Sequence, residues 1–133
     1  MKTMMCAIGV LIIAATVANA GTNGYATWFT VQSCRREGTS GITAGGRVLN
    51  ESALWCALPS RPPVDGSGRR AWGRKIRITN MNTGKSIICE QWDVGPGRAA
   101  RARGVCVDLT PAAFLALDGQ LKDGRMAVRV EVL

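Results

Sequence analysis

"CEQWDVGPGRAARARGVCVDLTP", residues 89–111, places two aspartates, Asp93 and Asp108, near the ends of two apolar runs, with a Gly-Pro turn and three arginines between them. Side chains on a strand alternate faces with a period of two. Asp93 follows Cys89 by four residues and Asp108 follows Cys106 by two, so on regular strands each carboxylate shares a face with its neighbouring cysteine. Two carboxylates on one face can do general acid and base work on a glycosidic bond when their environments drive their pKa values apart. The plainer reading is structural: an aspartate before Gly-Pro fixes a turn by accepting backbone N–H bonds, and one beside a Thr-Pro step serves a helix start.

Outward from this stretch, the chain reads as short strands separated by turn signals. Residues 24–31 (GYATWFTV) are rich in aromatic and β-branched side chains and predict a first strand. Residues 35–46 are polar and glycine-rich and read as a loop, while 52–58 (SALWCAL) fit either a short helix or a strand. Residues 60–73, with Pro62, Pro63, Gly66, Gly68 and paired arginines, mark a surface excursion. The alternating KIRIT of 75–79, the turn chemistry of NMNTGK and the run SIICEQW of 86–92 predict a β-hairpin. Residues 105–109 form another strand; Thr110 as N-cap and Pro111 at the first helical position open a short helix over AAFLAL. The last run, 126–133, alternates Val128, Val130 and Val132 against Arg129 and Glu131. These elements predict one mainly β domain, a barrel or sandwich with one or two short helices.

Residues 1–20 (MKTMMCAIGVLIIAATVANA) have a lysine near the front, an apolar stretch from 7 to 17 and a small-residue end, the pattern of a cleaved export signal. The expected domain is therefore 21–133, secreted or periplasmic, with no transmembrane segment in the mature chain. It retains Cys34, Cys56, Cys89 and Cys106, and an even count in a small exported domain predicts two disulfides. Of the three possible connectivities, Cys34–Cys56 with Cys89–Cys106 is preferred here. With no histidine and no C-x-x-C pair, neither a metal site nor a cofactor is expected.

Sixteen basic residues, thirteen of them arginine, stand against nine acidic ones in residues 21–133, a formal +7. That surface suits an anionic polymer. No run interleaves aromatic with basic residues, so nucleic acid is not the expected partner. Arg98, Arg101 and Arg103 are either a clasp for carboxylates or phosphates or a solvated loop. Trp28, Trp55, Trp72, Trp92 and Tyr25 are either sugar-stacking platforms or core and rim residues.

GYATWF, then ALP at 57–59, then IRITNMNTGKSIICEQWDVGP, then VDLTPAAFLAL resemble, in that order, the double-psi β-barrel of rare lipoprotein A-like proteins, relatives of expansins, barwins and one class of endoglucanases. The resemblance implies a six-stranded barrel with a groove that holds an extended glycan. It implies that Asp93 matches the active-site aspartate of the lytic transglycosylase members, and Asp108 the proton donor of the endoglucanases. The chain also departs from the pattern. Trp55 stands where transglycosylase members have a histidine, and Arg47 where they have a glutamate, leaving Glu51 as the nearest substitute carboxylate.

The expected function is therefore a monomeric domain that binds and remodels wall polysaccharide, peptidoglycan by preference, with expansin-like reduced or absent catalysis. The candidate residues are Asp93, Asp108 and Glu51 for chemistry and Tyr25, Trp28, Trp55, Trp92, Arg98 and Arg101 for binding. One alternative is a lytic transglycosylase or glycoside hydrolase acting through Asp93. Another is a small basic disulfide-bonded interaction protein.

Overall fold

The computed structural model describes residues 21–38 and 40–133; the expected export signal, residues 1–20, lies outside them. Six strands close into a barrel: β1 (Thr22–Trp28), β2 (Trp55–Leu58), β3 (Lys75–Asn80), β4 (Ser86–Val94), β5 (Val105–Leu109) and β6 (Met126–Val132). Their order around the barrel is β1-β5-β2-β4-β3-β6. The β1–β5 and β2–β4 pairs are parallel and the other four antiparallel. Neither β1 and β2 nor β2 and β3 are neighbours in this order, so long excursions rather than tight turns join them. Three short helices decorate the barrel: α1 (Val31–Arg36), α2 (Arg98–Ala102) and α3 (Pro111–Ala116).

The hairpin predicted from KIRIT and SIICEQW is β3–β4, with Ile78 level with Ile87 and Thr79 with Ser86. Its turn is closed by Asn80 N–H to Lys85 O at 2.8 Å and Gly84 N–H to Asn80 O at 2.8 Å, with Gly84 at φ 77. Residues 52–58 resolve as a strand from Trp55. The first strand stops at Trp28, short of the expected Val31, because Thr30 caps α1. Its hydroxyl accepts from Ser33 N–H while the Ser33 hydroxyl accepts from Thr30 N–H. The expected loop over 35–46 thus begins as the end of a helix, and the arginine loop folds as α2. Thr110 and Pro111 start α3 as their residue types dictate, the Thr110 hydroxyl accepting from Ala113 N–H.

Both parallel pairs carry a one-residue shift. In β2–β4, Cys56 is level with Gln91 but Ala57 with Asp93, so Trp92 is an extra residue in β4. In β1–β5, Tyr25 is level with Val105 but Ala26 with Val107, so Cys106 is extra in β5. A bulge of this kind reverses the alternation beyond it.

Ala26, Cys56, Leu58, Ile76, Ile78, Cys89, Val107, Leu109, Val128 and Val130 fill the barrel. Ala113 and Phe114 of α3 and Leu117, the residue after it, pack against this core. Buried Asn80 ties the same region by donating to Leu117 O at 2.7 Å. Fully buried Gln91 bridges Arg74 Nε (2.7 Å) and Ser60 O (2.8 Å), so neither buried amide is left without partners.

Neither expected disulfide is formed, and among the described residues there is none. Cys56 points into the core while Cys34 lies on α1 beside an external groove, on the other side of β2. Strand β2 separates Cys89 from Cys106, and the register sends the two toward opposite ends of it. Cys89 precedes Glu90, which is level with Trp55 at the start of β2; Cys106 precedes Asp108, which is level with Ala57 and runs the other way. Disulfides need Cα atoms within about 7 Å. Cys56 and Cys89 instead serve as small apolar core residues. Burial holds the Cys56 thiol well above its ordinary range and pushes that of Cys89 up to about 12, so both stay protonated.

Phe114 is the largest fully buried side chain. Phe114→Ala is expected to cost about 3–5 kcal/mol, measured as a lower urea midpoint at unchanged m-value; a loss under about 1 kcal/mol would show that α3 is not part of the cooperative core.

Candidate acidic groove

The β2–β4 bulge turns Asp93 to the outer face of the barrel, away from Cys89. Ala57, at the middle of β2, is then level with Asp93 on one side and with Asp108 on the other. Residues level on adjacent strands share a face. The two carboxylates therefore project outward on the same side, with only the Ala57 methyl group between them and their backbones two strand spacings, about 10 Å, apart. Both line one cavity of ≈ 630 Å³, walled by β1 and β2, by α1 and by the 94–103 segment carrying α2.

The two acids are held differently. Asp93 Oδ1 accepts from the backbone N–H of Ala44 (3.0 Å) and of Val94 (2.9 Å), so it anchors the 40–49 loop to β4 as well as lining the groove. Asp108 is partly buried and receives the Thr27 hydroxyl from the strand beside it on Oδ1. Its carboxyl is raised above the ordinary aspartate value, chiefly by burial, with the negative charges of Glu37 and Asp93 adding to the rise and the Thr27 hydrogen bond opposing it. Gly95 passes directly over Asp108: a Cβ there would lie 3.1 Å from Oδ2 and 3.7 Å from the Ala57 Cβ. A side chain at this position would close on the second carboxyl oxygen.

Several candidates fall elsewhere. Glu51 is exposed and accepts from Val31 N–H at 3.0 Å, so it secures the first turn of α1 and is not among the groove residues. Of the proposed binding residues, Trp28 and Arg98 line the groove; Tyr25, Trp55, Trp92 and Arg101 do not. Trp28 is also tied down by its Nε1 donating to Leu121 O at 2.9 Å. Tyr25 carries the Arg125 guanidinium over its ring at 4.1 Å. Trp92 stacks on Trp55 with centroids 5.6 Å apart and takes Arg47 over its ring at 3.9 Å, while its Nε1 donates to Glu90 at 3.1 Å. Arg47 and Trp55, the two positions where the chain departs from the transglycosylase pattern, thus meet on one buried ring.

Thr27 and Glu37 line the groove but did not stand out in the sequence, and Arg103, of the arginine group read as a clasp or a solvated loop, lines it as well. The register that places Thr27 beside Asp108 is a long-range fact. Glu37 was within reach of a sequence reading, since Thr30 and Ser33 at N-cap and N3 signal a helix that would end near it.

The closed six-stranded barrel with two parallel pairs and an acidic groove across its side defines a double-psi β-barrel. No family model matches the chain. Over 91 residues, 68% of the chain, it is 33% identical to the probable endolytic peptidoglycan transglycosylase RlpA of Nostoc sp.. The chain spans about one fifth (21%) of that relative's length. Among solved structures, the Streptomyces papain inhibitor superposes with a TM-score of 0.60 at 19% identity, covering 86% of this chain and 96% of that one. A mutant Clavibacter michiganensis expansin in complex with cellohexaose gives 0.55 at 19% identity, covering 85% of this chain and 50% of the expansin. Fold and sequence together give this chain the double-psi β-barrel of the rare lipoprotein A-like proteins.

Because the folded-state value of Asp108 lies above the unfolded one, its protonation favours folding. That contribution is complete below the ordinary aspartate pKa of about 3.9 and is lost as pH rises through the raised value. Asp108→Asn removes the dependence, so the variant should gain stability relative to wild type between acid and neutral pH. A stability difference that stays constant over this span in urea titrations would contradict the assignment.

Proposed function

We propose that the groove binds an extended strand of cell-wall polysaccharide, with peptidoglycan preferred, and that Asp108 is the group that exchanges a proton with it. The observation that carries this reading is the pair of outward carboxylates flanking Ala57 in one groove, one of them with its pKa raised by burial. The likeness to a probable peptidoglycan transglycosylase, and the cellohexaose bound to an expansin of the same fold, support a glycan as the occupant.

The geometry favours Asp108 over Asp93 for proton transfer. Burial shifts the Asp108 carboxyl toward the protonated form that can donate to a glycosidic oxygen, whereas Asp93 has one oxygen engaged by two backbone donors. Asp93 stands nearby, its negative charge adding to the rise at Asp108 and able to stabilise positive charge developing on the sugar. One acid suffices for transglycosylation. The Asp108 proton goes to the leaving oxygen as the C–O bond breaks; the sugar's own 6-hydroxyl then closes on the anomeric carbon and returns its proton to the Asp108 carboxylate. Export of the domain, from the pattern of residues 1–20, belongs to the same reading.

The test is sedimentation of the domain with isolated cell-wall sacculi, with mass spectrometry of soluble fragments. Wild-type protein should co-sediment and release anhydro-ended fragments. Asp108→Asn should still co-sediment while fragment release falls about 100-fold or more. Failure of the wild type to sediment would overturn the binding role, and unchanged release by Asp108→Asn would overturn the role of that residue.

A further inference from the structure

The chain's arginines divide by what they touch. Arg47 covers Trp92, Arg125 covers Tyr25, Arg74 holds Gln91, Arg70 donates to Pro62 O at 3.1 Å and Arg129 faces Glu131 at 3.7 Å. Arg98 and Arg103 do none of this. Both are exposed, both line the acidic groove, and neither enters an ion pair among the described residues. They lie at the first position and the C-cap of α2, so one short helix presents both guanidinium groups to one cavity. The groove is consequently divided, with Asp93 and Asp108 rising from the strands, Glu37 at the end of α1, and two cations on α2.

From this division we infer that Arg98 and Arg103 determine specificity by selecting glycans that carry carboxylates on their sugars. The inference rests on the glycan-binding reading above and names what that groove discriminates. A guanidinium pairs with a carboxylate through two parallel hydrogen bonds, which a hydroxyl or a reduced carbinol cannot reproduce. The same acids that serve the chemistry repel a carboxylate placed over them. A carboxylated strand is therefore held in a register that puts its anionic substituent under α2 and an uncharged linkage over Asp108. A neutral glycan gains nothing from α2 and has no such register imposed on it.

The experiment compares binding of three ligands by calorimetry: soluble peptidoglycan glycan strands, the same strands with their carboxyl groups chemically reduced to alcohols, and cellohexaose. Wild-type protein should bind the carboxylated strands about ten-fold or more tighter than the reduced ones. In Arg98→Gln/Arg103→Gln that preference should vanish, and Arg98→Lys/Arg103→Lys should restore only part of it. Arg61→Gln/Arg69→Gln removes the same charge from the exposed 59–74 excursion, outside the groove, and should leave the preference intact. Equal wild-type affinity for carboxylated and reduced strands overturns the inference while leaving the groove a glycan site. A loss of preference equally large in Arg61→Gln/Arg69→Gln overturns it in favour of bulk charge. No binding of any of the three ligands overturns the glycan reading itself, and this inference with it.

Discussion

The site depends on one extra residue in one strand. Were β4 regular past Gln91, Asp93 would follow Cys89 and Gln91 onto the inner face of the barrel, and an aspartate there would be a buried charge without a partner. Trp92 takes the additional place, Asp93 turns outward, and Ala57 comes level with both aspartates. The bulge is held by what surrounds the indole. Trp55 and Arg47 cover its ring, Glu90 accepts from its nitrogen, and Gly73 approaches so closely that a Cβ would lie 2.9 Å away. A structural cluster on the outer wall thus fixes the position of a carboxylate that faces the groove.

Equivalent side chains acquire unequal roles from this arrangement. Asp93 accepts from two backbone donors and remains a fixed anchor; Asp108, partly buried beside Gly95 with Asp93 and Glu37 nearby, has its carboxyl raised above the ordinary aspartate value. The Thr27 hydroxyl works in the opposite direction, stabilising the ionised form, so Asp108 is drawn toward both states. That balance suits the proton exchange proposed for this residue. The two places where the chain departs from the transglycosylase pattern, Arg47 and Trp55, are used to pack Trp92, and no second acid at either position assists Asp108.

The thiols show how context overrides count. Four cysteines in a small domain read as two bridges, yet two of them sit inside a closed barrel as apolar filler and the other two lie at separate parts of its periphery. The barrel's closure makes cross-links between its strands unnecessary, since no edge remains to be secured. Polar closure is supplied by Asn80 and Gln91, each fully bonded within the wall.

Elements governed by neighbours in the chain were legible from residue types. The KIRIT hairpin, the Thr110-Pro111 helix start and the alternating last strand obey local periodicity and capping, which act over a few residues. The family motif carried the six-stranded barrel. The placement of the groove residues was different in kind. Glu51 reads as a spare acid until α1 is seen to need its carboxylate; Thr27 and Glu37 read as ordinary until β1 lies beside β5 and α1 lies across the groove. Parity counting put Asp93 on the face of Cys89 and the structure puts it on the opposite one, because a bulge resets a two-residue period and the residues packed on it, Arg47, Trp55 and Gly73, lie up to 45 positions away. Local chemistry chose the strands and caps; pairing between distant segments, which no short window of sequence contains, chose which side chains meet.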